Sequence, residues 1–288
     1  MRKGWLSCDF NWLQLFEIKA FFRILLVLVV MSGSGCFSSK SSANRGIASG
    51  SSAVSTCILP NGQQDNSLQG HWATSPTSPF PLRLSLHSGS NWQSIESTVL
   101  RAAAQTWNNH FVQVKGAPVY DTNLGTSSLN ETQPDCSQSD TGEGTVIYKR
   151  GNWAKGSAVI ALTTFCTRRV SCPTDRPVGV NECLPIMYHA ILEFNYQNFF
   201  VAGTNKYPDL QSIATHELGH LIGLDHSCGA LRGGQPNVSC ESARPDSDPL
   251  GLLTSIMFPS WTISPSNGSG EIKRNLGSND QGRANCLY

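Results

Sequence analysis

At 288 residues with 39% hydrophobic content, the chain is long enough for one sizeable core, and a single globular unit is the simplest organisation. Charged residues make up only 14%, against roughly 25% in an average soluble protein, while 26 Gly and 15 Pro point to many loops and turns. The formal net charge of +1 comes without a long basic run, so the electrostatic footprint of a nucleic-acid binder is missing and no nucleic-acid partner is expected.

In chain order, Lys19 and Arg23 precede an apolar run from Ile24 to Met31. That run is too short to span a bilayer as a helix and suits the h-region of a signal peptide. Ser32-Gly33-Ser34-Gly35-Cys36 follows, small residues ending at a cysteine, and it resembles the lipobox of bacterial lipoproteins. The resemblance implies lipidation of Cys36 and a membrane anchor. Gly33 stands where a lipobox usually has Leu, which leaves an ordinary signal-peptidase site as the alternative. Residues 1–36 are therefore read as a signal peptide. Residues 37–70, rich in Ser, Gly, Asn and Gln, are read as a flexible tether, and 71–288 as one folded domain.

Phe80 to His87 alternates apolar and polar residues like a half-buried strand. Ile95, Val99, Ala102, Ala103, Thr106 and Trp107 recur at helical spacing, with Asn91 or Ser94 available as N-cap. Residues 121–144 read as a long polar loop. In it Asp135, Asp140 and Glu143 are candidate ligands of a structural Ca²⁺ or a second zinc, against the plainer reading of a solvated loop. Thr145–Tyr148, Ala158–Phe165 and Met187–Phe194 have strand composition. Asp209 can cap a helix whose Ile213, Leu218, Leu221 and Ile222 face the core, and a short terminal helix from Ser278, containing Ala284 and Leu287, is expected.

Of ten cysteines, removal of Cys8 and lipidation of Cys36 leave eight: Cys57, Cys136, Cys166, Cys172, Cys183, Cys228, Cys240 and Cys286. An even number in an exported domain suggests four disulfides, with Cys228–Cys240 an attractive short-range pair.

The chemistry is concentrated at residues 216–226, His-Glu-Leu-Gly-His-Leu-Ile-Gly-Leu-Asp-His. Residues four apart share a helix face, so His216 and His220 can reach one metal ion. Gly223 can take the backbone angles that end the helix and turn the chain, bringing His226 round as third ligand. Three histidines with an open fourth position are the arrangement of a catalytic zinc, which lowers the pKa of a bound water to about 7. Glu217, next to His216, has the position of the general base that activates this water for attack on a scissile carbonyl. The remaining His71, His87, His110 and His189 are read as structural or surface residues.

The motif H-E-x-x-H-x-x-G-x-x-H resembles that of the metzincin clan of zinc peptidases, and Ser227 after His226 is similar to the matrixin-like branch. Ser255-Ile256-Met257-Phe258-Pro259 resembles the Met-turn, which implies Met257 as an apolar floor beneath the zinc. Leu276-Gly277-Ser278-Asn279-Asp280 resembles the opening of the last matrixin helix. The resemblance implies an α+β catalytic domain with a twisted mixed sheet, a long first helix, an active-site helix and a short C-terminal helix. It also implies a zinc endopeptidase that docks an extended protein or peptide substrate along an edge strand, here Ala158 to Thr164. No cysteine-switch segment of the Pro-Arg-Cys-Gly type occurs. A monomer, exported to the cell envelope or secreted, is expected. The competing reading is a zinc-containing domain that binds peptides or envelope material without turnover.

Overall fold

The computed structural model describes residues 56–59, 68–73, 80–137, 144–171, 183–201, 203, 206–229, 240, 247–248 and 250–288. Cys36, the signal segment, Asp140 and Glu143 lie outside them.

Six strands form one mixed sheet: β1 (His71–Trp72), β2 (Leu84–His87), β3 (Gly125–Ser127), β4 (Thr145–Arg150), β5 (Ala161–Arg168) and β6 (Ile186–Asn195). The order runs β3-β2-β4-β6, and both β1 and β5 pair with β6. All neighbours are parallel except β5, which runs antiparallel to β6 with Thr163 opposite Leu192. β6 is buried along nearly its whole length because both sheet faces are covered, and its sequence is accordingly a near-continuous apolar run.

One face carries the main core. α1 (Ser94–Lys115) contributes Leu100, Ala103, Trp107 and Phe111, and α2 (Leu210–Leu221) contributes Ile213, Ala214, Leu218 and Leu221. They meet Leu84, Ile147, Ala190, Leu192 and Phe194 of the sheet. On the other face a smaller cluster, Val146, Tyr148 and Ile191, is covered by Leu129. The loop that provides this cover is fixed by a disulfide between Cys136 and Cys166 of β5. A third helix, α3 (Ser278–Ala284), follows, and Leu287, expected within it, lies in the turn beyond its end.

Most elements match the sequence pattern, with informative differences. The first expected strand shrinks to Leu84–His87, since Pro81 has no N–H to offer a ladder. α1 is capped by Gln93, whose N–H donates to Glu96 Oε2 at 2.7 Å, and not by Asn91 or Ser94. The loop after residue 121 contains β3, a short parallel addition to β2.

The reading of residues 37–70 as tether is corrected at its described positions. Cys57 forms a disulfide with Cys286, and the Ile58 N–H donates to Gly282 O at 2.9 Å. Leu68 is buried in the core, and the Gln69 N–H donates to Gly223 O at 2.7 Å. A composition average conceals the few residues that anchor such a segment.

Cys228–Cys240 is formed as expected, giving three disulfides between described cysteines, and Cys183 is disulfide-bonded as well. Such cross-links indicate an oxidising, exported environment. Among the described residues no helix is long and apolar enough to cross a membrane.

Candidate metal centre

α2 starts where Asp209 Oδ2 accepts the Ser212 N–H at 2.9 Å, the N-cap expected from the sequence. From Ser212 to Leu221 every residue of the helix is buried. His216 and His220 thus project from a rigid element packed between α1 and the sheet. Trp107 of α1 donates its indole N–H to Thr215 O at 2.8 Å, and the Tyr120 hydroxyl donates to Leu218 O.

Both imidazoles are oriented from behind. His216 Nδ1–H donates to Ile256 O at 2.7 Å, and His220 Nδ1–H donates to Leu224 O at 2.8 Å. A carbonyl can only accept, so each ring carries its proton on Nδ1 and presents a bare Nε2 to the site. Burial first, then the neighbouring imidazole, pushes the pKa of His216 down to about 3, and burial with His226 does the same to His220. The two rings are therefore neutral. Their Nε2 atoms lie 3.1 Å apart with lone pairs facing each other, and neither can donate to the other. Such a juxtaposition is favourable only around a shared cation. A tetrahedral ion at 2.0 to 2.1 Å from each nitrogen sets its ligands about 3.4 Å apart, so the pair already has nearly the spacing of one edge.

At the helix end the chain must reverse. Gly223 has φ 107°, and a Cβ there would lie 1.9 Å from Gly70 O, so both backbone angle and space require glycine. The turn carries His226 to the site, where its ring centroid is 5.2 Å from that of His216 and 4.8 Å from that of His220. Donor atoms of all three histidines lie within 4.8 Å of one another, and together they form a group that can hold a metal ion. The third ring is half-buried, unlike the other two.

Glu217, on the same helix, is buried beside this group. Burial raises its carboxyl to about 7, against the lowering effect of a hydrogen bond from Thr163. Thr163 Oγ1 lies 2.8 Å from Glu217 Oε2 and 3.0 Å from Glu217 O.

Met257 is fully buried, and its sulfur would be 2.2 Å from a Cβ at Gly219, the residue before His220. Glycine at that position of the motif is what lets the 255–257 turn approach the helix. That turn is held by Asp280, a fully buried carboxylate that accepts from the Ser255 hydroxyl, Ile256 N at 2.8 Å and Met257 N at 3.2 Å. Because Ile256 O orients His216, Asp280 acts on that imidazole at one remove.

Chain comparison adds nothing to this geometry. No protein-family model matches the chain, and no curated protein matches it.

The sequence pattern thus named a triad that the fold brings together, in an arrangement compatible with an H-E-x-x-H…H zinc motif. It missed the residues that aim the triad. Asp225 Oδ1 accepts from the His226 N–H at 2.8 Å and from Gln69 Nε2 at 2.9 Å. Arg283, buried to 0% exposure, donates from Nη1 to Asp225 O at 2.8 Å. Trp72 Nε1 and the Tyr288 hydroxyl each donate at 2.7 Å to Leu221 O and Ile222 O, the carbonyls the helix end leaves open. Only the helix-opening segment around Asp280 carried a local signal.

Outside the centre, the other histidines have structural partners: His189 meets Glu131, His110 meets Asn285 and His87 meets Ser90. Asp135, a candidate ligand of a structural Ca²⁺ or second zinc, accepts from Ser137 N at 2.9 Å and caps its own loop.

Proposed function

We propose that the domain is a zinc-dependent endopeptidase of metzincin-like type, with His216, His220 and His226 as ligands and Glu217 as general base. The observation that carries this reading is the pair of neutral imidazoles whose Nε2 lone pairs converge beside a third histidine and a buried carboxylate. Zinc suits the all-nitrogen donor set and, when bound, lowers the pKa of a water in its open position and polarises a substrate carbonyl.

The chain's own residues supply the rest. Glu217 takes a proton from the attacking water and delivers it to the leaving amine, an effect typically worth about 10² to 10⁴ in rate. Its raised pKa lets it exchange protons near neutrality. Met257 and Gly219 give the site a tight apolar floor. β5 pairs only with β6 among the described residues, which suits its other edge to take up an extended peptide as a further strand. The substrate would thus be a protein or peptide. The disulfides fit an exported protein, anchored through a lipid on Cys36 or secreted.

Cleavage of casein by the zinc-loaded protein, abolished by chelator and reduced about 10² to 10⁴-fold in Glu217→Ala, is the expected result. Stoichiometric zinc without cleavage of casein or of a diverse peptide library would favour a non-catalytic binding domain instead.

A further inference from the structure

By the alternation of a strand, Ala161, Thr163 and Phe165 share the face of β5 that meets α2 and the main core. Ala161 and Phe165 pack there as apolar side chains, and Thr163 is the polar exception, only 9% exposed. Its hydroxyl has one proton and faces two acceptors of a single residue, Glu217 Oε2 at 2.8 Å and Glu217 O at 3.0 Å. One hydroxyl therefore ties the carboxylate to its own backbone.

We infer that Thr163 is a positioning residue that sets the orientation of the Glu217 carboxylate towards the reacting water, an inference that rests on the peptidase reading above. The anchor is stiff at each level. Pairing with Leu192 fixes the strand, β-branching restricts χ1, and the burial of α2 fixes the other end. The hydroxyl of Thr163 bonds Glu217 and none of the three histidines, so the role assigned to it is on the base, and zinc affinity is expected not to depend on it. A carboxylate misplaced by a fraction of an ångström loses rate without losing substrate, since orientation enters the barrier and not the ground-state complex.

The test compares zinc-loaded wild type, Thr163→Val and Thr163→Ser. Valine keeps the shape and removes the hydroxyl, and serine restores it. For casein hydrolysis, Thr163→Val is expected to lower kcat about 10- to 100-fold with KM within about 2-fold, and Thr163→Ser to recover most of the rate. Zinc affinity is expected to be the same in all three. A wild-type kcat in Thr163→Val, or a parallel loss of zinc affinity, would overturn the role. Crystal structures of the same zinc-loaded forms give a readout independent of turnover. In Thr163→Val the Glu217 carboxylate is expected to rotate away from its wild-type position, and an unmoved carboxylate refutes the inference. A protein that cleaves nothing would sink the peptidase reading, while those structures still decide what Thr163 does.

Discussion

Two of the three imidazoles reach the centre by one route and the third by another. His216 and His220 are delivered by a single buried helix, and their spacing follows from helical geometry alone. His226 lies beyond the helix, and its placement depends on residues far away in sequence: Gly70 and Gln69 before the first strand, and Arg283 and Tyr288 at the end of the chain. The Cys57–Cys286 disulfide ties residues next to Arg283 and Tyr288 to a stretch further upstream of Gln69. The contrast teaches that a short motif encodes the three histidines, while tertiary structure encodes how they are brought together. Variants on the two sides should therefore differ in kind, those on the turn side loosening the third histidine and those on the helix side acting mainly on stability.

The largest effect is expected at the turn itself. Gly223→Ala introduces a side chain at φ 107° and a Cβ 1.9 Å from Gly70 O, which together should destabilise the fold by about 2–5 kcal/mol. Denaturant unfolding checks this, and a variant within about 0.5 kcal/mol of wild type would show that the turn relaxes freely. Next is the paired change Cys57→Ala with Cys286→Ala, expected to lower stability by about 2–5 kcal/mol and to weaken zinc binding as the clamp on the helix end loosens. Unchanged zinc affinity would mean that the chain ends hold the turn without the cross-link.

Arg283→Met sharpens the comparison further. It keeps the buried bulk but removes the donor to Asp225 O, so zinc affinity should fall about 10- to 100-fold, as is usual when a group supporting a ligand is lost. A competition titration with a chromophoric chelator measures it, and undiminished affinity would assign Arg283 to packing alone.

The smallest effect belongs to the helix side. Asp209→Ala removes the N-cap of α2 and its ion pair with Arg274, and should reduce stability by about 1 kcal/mol with zinc affinity unchanged. Burial works to raise the Asp209 pKa, but hydrogen bonds from Arg274 and Ser212 outweigh it and hold the carboxyl below 3.8. A depressed native pKa stabilises the fold fully above the unfolded value and loses that contribution as pH falls through the native one. The stability gap between wild type and Asp209→Ala should accordingly be constant near neutrality and close below about pH 4. A gap that persists at lower pH would contradict that assignment.

The same division governs what could be read from the sequence. Helical periodicity and the Asp209 cap are local signals, and α1, α2 and the long strands were legible from them. The three histidines and Glu217 were legible because their spacing is dictated by one helix and one turn. Gly219 sits inside the motif, yet its reason, the close approach of Met257, is tertiary. Thr163, Arg283 and Gln69 carried no local signal, because each acts through a partner more than fifty residues distant. The described parts of residues 37–70 were misread for a related reason: one disulfide and a few main-chain hydrogen bonds, not composition, hold them to the domain.

The most direct test of the metal centre is crystallography of the zinc-soaked protein with anomalous data collected at the zinc edge. One peak per chain is expected, at about 2.0–2.1 Å from a nitrogen of each of His216, His220 and His226, with Glu217 outside the coordination sphere. A map without a peak there, or a zinc ion held by other residues while the ring of His226 stays apart, would contradict the assignment.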